Sequence, residues 1–224
     1  MSISIDPQLA SLGCEIHLGA LTYPVKGGAS DDLILGAMQD ACAQRREELM
    51  GEAAATDPTI AAVRAAFKLA GKDPSRYRPS SEALTRRAIA GDALPVVNAV
   101  VDIGNIVSLM TGVPVGVYDQ SKLQGALTLR VGDEGETYTS LGRGDINLDG
   151  IILLADNTGP CGTPFSDSRR TGVTEDTKDV LFLLYGLNLD VEIVEAAAEF
   201  ADTLMTQFAV DPDRMADSAP EVRS

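Results

Sequence analysis

The segment Leu94-Pro-Val-Val-Asn-Ala-Val-Val-Asp-Ile-Gly-Asn-Ile-Val-Ser-Leu-Met110 is apolar at Val97, Val100, Val101, Ile106 and Leu109, a spacing that fits a helix and not a strand. Within it Asn98, Asp102 and Asn105 fall at i, i+4 and i+7, so three polar groups share one stripe. Such a stripe is either a buried hydrogen-bonded network or one wall of a ligand pocket. Downstream of Pro114 the pattern changes to short β-like runs at 115–118, 126–131, 136–140 and 151–155, with Gly132-Asp-Glu-Gly135 reading as a hairpin turn.

Upstream, Ile16, Leu18 and Ala20 alternate with Glu15, His17 and Gly19, which predicts a strand over 14–22 with His17 turned away from its buried face. A helix is expected over 31–49 with Ser30 as its cap, and a second over 58–70. In Arg76-Tyr-Arg-Pro-Ser-Ser-Glu-Ala-Leu-Thr-Arg-Arg87, Ser80 or Ser81 is placed to cap a further short helix, with Glu82 near its positive end. After the β-like region, Asn157-Thr-Gly-Pro-Cys-Gly-Thr-Pro-Phe165 reads as a surface loop, and 180–185 as a last strand. Val194, Ala197, Phe200, Leu204 and Phe208 share one face of an amphipathic helix over 191–208, followed by an acidic tail expected to fray.

At 224 residues and 45% hydrophobic, the chain can bury a substantial core. It reads as one domain over 1–224: strand and helices in 1–75, a motif-bearing core in 76–186, a helix in 187–210 and the tail in 211–224. With 18 Lys and Arg against 33 Asp and Glu, the formal charge of −15 opposes nucleic-acid phosphates and anionic membranes unless a local basic patch intervenes. The start Met-Ser-Ile-Ser-Ile-Asp-Pro carries no leader pattern, and a cytoplasmic protein without membrane contact is expected, a monomer or weak homodimer. Cys14, Cys42 and Cys161 at irregular spacing suit free thiols in a reducing compartment.

His17 is the sole histidine, so any Ser-His or Cys-His chemistry would pass through it; a bystander on a strand is the simpler reading. Asp145-Ile-Asn-Leu-Asp-Gly150 with Asp156 has the spacing of a calcium loop, but its flanks read as strands and its last ligand is the short Asp. An Asx-rich turn is expected instead, with no metal and no cofactor. Cys161 has no base beside it in sequence. Arg169-Arg170 beside Ser166 and Ser168 would grip a carboxylate or phosphate bidentately, or else form a solvated loop pair. No phosphate-binding Gly-rich loop and no dinucleotide fingerprint is present.

Taken in order, Val101-Asp-Ile-Gly-Asn105, Gly112-Val-Pro-Val-Gly-Val-Tyr-Asp119, Lys122-Leu-Gln-Gly125, Leu153-Leu-Ala-Asp156 and Thr174-Glu-Asp-Thr-Lys-Asp-Val-Leu181 resemble the editing domain of phenylalanyl-tRNA synthetase β chains. The 76–87 segment looks like the free-standing members of that group. The resemblance implies an α/β (α+β) fold, a three-layer β/β/α sandwich with extra N- and C-terminal helices. Its cleft would hydrolyse tyrosine misattached to the phenylalanine tRNA; ligase activity is not implied.

Carried over by motif, Asn105 would line the acyl-ester pocket and stabilise the developing oxyanion, with a water near Asp102. Gly104 stands where the family usually has threonine, Gly116 where it has histidine, and Arg169 near its substrate-reading glutamate. Losing the histidine and hydroxyl would enlarge the pocket, and Arg169 would favour an anionic ligand. Asn98, Asp156, Ser168 and Thr177 complete the expected substrate-binding set. Arg76, Arg78, Arg86 and Arg87, joined by Lys122, Arg130, Arg143, Arg169 and Arg170, are the residues available to a tRNA patch. Two functions follow: a trans-acting aminoacyl-tRNA deacylase, or a binding protein or hydrolase for an amino acid or related metabolite that has lost tRNA binding.

Overall fold

A computed structural model describes residues 2–142, 144–215 and, as backbone, 221–223. In chain order the elements are β1 (Ile3–Ile5), α1 (Pro7–Ala10), β2 (Ile16–Pro24), α2 (Asp32–Leu49), α3 (Pro58–Leu69), α4 (Ser80–Ala90), α5 (Ala99–Thr111) and β3 (Val115–Asp119). There follow β4 (Leu127–Val131), β5 (Thr137–Ser140), β6 (Gly144–Asn147), β7 (Ile152–Asp156), β8 (Gly159–Thr163), β9 (Ser166–Asp167), β10 (Asp179–Leu187), α6 (Val191–Phe208) and β11 (Glu221–Arg223).

One sheet has the order β1-β4-β7-β8-β9, a second β11-β2-β10-β3, and β5-β6 form a separate ribbon. β10 is flanked on both sides, pairing antiparallel with β2 from Asp179↔Pro24 to Leu187↔Ile16 and with β3 from Val180↔Asp119 to Leu184↔Val115. It is buried from Val180 to Leu187, which explains a near-continuous apolar run where one-sided burial would give alternation. α5 and α6 cover one face of this sheet, α2 and α4 pack on α5, and the opposite face meets β8 and β9. The β/β/α layering with added helices is the architecture implied by the resemblance.

Several local expectations are corrected. Asp31, not Ser30, caps α2, accepting from the amides of Leu33 and Ile34, because the Ser30 hydroxyl donates to Asp102. Pro79 occupies the cap of α4 without a side-chain bond, and both Ser80 and Ser81 lie inside the helix. The helix in 94–110 starts only at Ala99, capped by Asn98, which leaves Val97 outside it and 53% exposed. Gly132–135 does not close a hairpin: β4 pairs with β7 and β1, whereas β5 pairs with β6.

The Gly- and Pro-rich 157–165 segment is no surface loop. It contains β8, with Cys161 fully buried, and glycine is required at 162 because a Cβ there would lie 2.5 Å from Asp167 Oδ1 and from the Tyr118 hydroxyl. The tail expected to fray falls partly outside the described residues, but 221–223 pair with β2. α6 coincides with the expected 191–208 helix. No helix among the described residues is long and apolar enough to cross a membrane.

Candidate functional site

The expected site residues divide into separate groups. Asp102 is fully buried, accepting from the Ser30 hydroxyl at 2.6 Å and the Val97 amide at 3.0 Å. Burial raises its pKa, opposed by those two donors. Asn98 accepts from the Val101 amide at 3.0 Å. These two side chains anchor the start of α5 and the segment leading into it, so the polar stripe is structural over its first turn. Asn105 is half-buried, and among the described residues its amide has no hydrogen-bond partner.

The two glycines open no cavity. A Cβ at Gly104 would sit 3.2 Å from Val117 Cγ2 and 3.4 Å from Val115 Cγ1, so its absence lets α5 approach β3 closely. A Cβ at Gly116 would overlap the Tyr118 ring, with Cζ at 2.8 Å. The enlarged pocket expected from these positions is therefore corrected: Tyr118 fills the space. Its hydroxyl bonds that of Tyr185, and both rings are fully buried. Beside them lies Asp167, whose buried Oδ1 has no hydrogen-bond partner and whose Oδ2 accepts weakly from the Val117 amide at 3.4 Å. Burial pushes the Asp167 carboxyl up to about 7, against the lowering effect of Tyr118 and that amide. Sequence reasoning missed Asp167, since nothing in Ser-Asp-Ser distinguishes an inward carboxylate from a solvated one.

Ser168 and Arg169 do come together, round a cleft of about 310 Å³ with Tyr138, Thr139, Thr158 and Arg170, while Asp156 lies buried behind it, joined to Thr158 and Arg170. Asp156 ends β7 and folds the chain back, accepting from the Thr158 amide and hydroxyl, the Gly159 amide and the Gln124 amide. Arg170 meets it with two parallel bonds of 2.9 and 3.0 Å and also donates to the carbonyls of Gly159 and Pro160. Burial alone would raise the Asp156 carboxyl, yet Arg170, Thr158 and the amides hold it well below the usual carboxylate range. Ser168 accepts from the Arg170 amide at 3.2 Å, and the Arg169 amide donates to Thr139 carbonyl at 2.9 Å.

The backbone on either side of Arg169 is thus fixed while its guanidinium projects free. Among the described residues it has neither an acidic partner nor a hydrogen bond. Cys161 lies beneath, its thiol pushed up to about 12 mainly by burial, and so is no nucleophile at neutral pH.

Thr177 lies apart from this cleft; it donates to Asp119 at 2.8 Å and braces the turn before β10. Among the described residues the His17 imidazole bonds only Glu15, at 2.8 Å. In the 145–156 stretch, Asp145 accepts from Thr139 and the Asp149 amide donates to Asn147, an Asx turn.

Of the cations available to a tRNA patch, Lys122 pairs with Asp119, Arg130 with Glu136 and Arg170 with Asp156. Arg78 and Arg86 approach Glu82 at 3.4 and 3.9 Å, but Arg64 already holds that one carboxylate, so the group keeps a surplus of positive charge. Arg87 donates to Ala93 carbonyl, and Arg76 stands over the Tyr77 ring at 5.4 Å. Arg143 lies outside the described residues. Among those described, Arg76, Arg87 and Arg169 remain without an acidic partner.

The chain is thus a two-sheet sandwich with helices on one side and the Arg169 cleft at the edge of the other sheet. Residues 62–209 match the B3/4 domain model, and the chain belongs to that family. It is 35% identical over 105 residues to the phenylalanine–tRNA ligase β subunit of Brucella abortus (strain 2308), covering 46% of this chain and 13% of that one. Against the same subunit of Aquifex aeolicus (strain VF5) the identity is 34% over 87 residues, 38% of this chain and 11% of the other. The chain thus matches only a small part of these relatives. An N-terminal fragment of the phenylalanyl-tRNA synthetase β-subunit from Pyrococcus horikoshii shares the fold, with a TM-score of 0.50 at 15% identity, over 93% of this chain and 49% of that fragment.

Proposed function

We propose that the protein is a trans-acting aminoacyl-tRNA deacylase that holds an anionic part of its substrate in the Arg169 cleft. The observation that carries this reading is the unpaired Arg169 guanidinium, set on a backbone that Thr139, Ser168 and Arg170 fix in place. Its planar fork matches a carboxylate or phosphate with two parallel bonds, while Thr139, Thr158 and Tyr138 hydroxyls line the wall. Asp156 and Cys161 are committed or protonated, so neither serves as general base. Hydrolysis would rest on an oriented water and the ester's own neighbouring ribose hydroxyl. Asn105, with a free amide on α5, is the second candidate to stabilise the oxyanion; it does not line the Arg169 cleft.

The test is hydrolysis of tRNA charged with a panel of amino acids by the unaltered protein, Arg169→Ala and Asn105→Ala. Hydrolysis lost in Arg169→Ala and kept in Asn105→Ala assigns the reaction to the cleft; the reverse assigns it to the α5 side. No hydrolysis of any charged tRNA by folded protein removes the deacylase reading. What then gains is a metabolite-binding protein, favoured by the charge of −15. Absence of tRNA binding even at low salt would favour that second reading.

A further inference from the structure

A second concave feature lies elsewhere: a half-open cavity of about 410 Å³ between α2 and the segment joining α4 to α5. This volume is in the range of small-ligand sites, about 300–1,000 Å³. One wall is a single face of α2, with Leu35, Met38, Cys42 and Arg46 at helical spacing, and the other runs from Gly91 to Leu94 and on to Val96. α2 precedes the segment matched by the B3/4 model, and the other wall of the cavity lies within that segment. Its second wall is anchored throughout. Gly91 ends α4 at φ 83°, Arg87 holds the Ala93 carbonyl, and the Val97 amide is tied to Asp102.

The charges in the lining select the ligand. One cation, Arg46, and one anion, Asp92, border the cavity, and the other lining residues are uncharged. Arg46 spends its Nε on the Ala88 carbonyl at 2.8 Å, which fixes the guanidinium. Among the described residues its terminal nitrogens have no partner, the Asp92 carboxylate has none, and no ion pair joins the two. A bare carboxylate would meet Asp92 and a bare amine would meet Arg46, each at a like charge; a molecule carrying both charges and an apolar body satisfies the whole lining.

We propose that this cavity binds a free apolar α-amino acid as its zwitterion, carboxylate on Arg46, ammonium on Asp92, and side chain against Leu35, Met38, Cys42 and Leu94. The site is separate from the Arg169 cleft, so its fate is independent of the deacylase reading. Cys42, buried at the cavity wall, supplies a reporter, since a ligand in place would shield its thiol from alkylation.

The experiment is calorimetric titration of the full chain with phenylalanine and leucine, against phenethylamine and 3-phenylpropionate, which each lack one charge. Binding of an amino acid, weakened about fivefold or more in both Arg46→Met and Asp92→Asn and unchanged in Arg169→Ala, supports the site. Slower iodoacetamide labelling of Cys42 with the amino acid present locates it further. Asp92 makes no described side-chain bond, so Asp92→Asn keeps the test valid should Arg46→Met misfold. No binding at millimolar amino acid overturns the proposal. So does binding that neither substitution weakens, or equally tight binding of either half-ligand.

Discussion

Asp156 and Asp167 stand on either side of β8 in the chain, both with buried carboxylate oxygens, and their acidities move in opposite directions. Asp156 is surrounded by donors from Gln124, Thr158, Gly159 and Arg170; Asp167 has an unpaired Oδ1, one long amide contact and two tyrosine hydroxyls engaged with each other. Burial raises both and weighs more heavily on Asp167, whereas the donors round Asp156 outweigh it there and keep that carboxyl ionised. The first organises a cleft open to ligand, and the second fills the space between the sheets.

The largest effect should come from removing the well-supplied member. Asp156→Ala strips the turn of its acceptor and leaves Arg170 without its anion, and the loss in guanidinium-chloride unfolding should be about 3–5 kcal/mol. A loss below about 1 kcal/mol would mean that the turn is held by its backbone alone and that the contrast with Asp167 is misjudged.

Next comes the poorly supplied member, whose effect depends on pH. Burial holds the Asp167 carboxyl up to about 7 in the folded protein, whereas the unfolded chain releases its proton near 3.8, as a free aspartate does. Between those values the native state binds more protons, so this residue's contribution to stability falls as pH rises through the window and is flat above it. Asp167→Asn should remove that slope, leaving stability near pH 4 little changed and raising it at pH 8 by on the order of 3 kcal/mol relative to the unaltered protein. Equal pH profiles for the two proteins would show that Asp167 ionises freely.

A smaller effect tests how full the inter-sheet space is. Gly116→Ala should cost about 1–3 kcal/mol, because the new methyl meets the Tyr118 ring. Gly142→Ala, with nothing within 4 Å of its Cβ, should stay within about 0.5 kcal/mol. Equal tolerance at both positions would mean that Tyr118 swings aside and that a pocket opens there after all.

These contrasts also mark what the sequence could reveal. α6 was legible because its apolar residues repeat on one face, and the β/β/α class was legible because motif order carries topology. β8 was not, since Gly-Pro-Cys-Gly-Thr reads as a loop until Tyr118 and Asp167 are seen occupying the space above Gly162. The Asn98, Asp102, Asn105 stripe suits network and pocket equally in the sequence, and its first two members are network in the fold because Val97, Val101 and Ser30 supply their partners. Of the expected site, Ser168 and Arg169 share a cleft, and Asp156 supports it from behind through Arg170. Spacing could not show that Asn105 lies apart from them, because a helix face and a sheet edge meet only through the fold.

The smallest expected stability effect is also the most diagnostic for function. Arg170 is locked by Asp156 and by two backbone carbonyls, whereas its neighbour Arg169 contributes nothing described to the fold through its side chain. Arg169→Ala should therefore change unfolding free energy by less than about 0.5 kcal/mol, while Arg170→Ala, stranding the buried Asp156, should cost about 2–4 kcal/mol. A residue that is immobilised through its backbone, carries a full charge and contributes no stability is positioned for something outside the chain. If the cleft takes an anionic ligand, Arg169→Ala should lose binding with an unchanged melting temperature, and Arg169→Lys should recover part of it, since a single ammonium replaces the charge but not the two-pronged geometry. Full recovery with lysine would reduce the cleft to a general attraction for anions; a large stability loss in Arg169→Ala would turn the free guanidinium into a structural one and remove the basis for ligand recognition there.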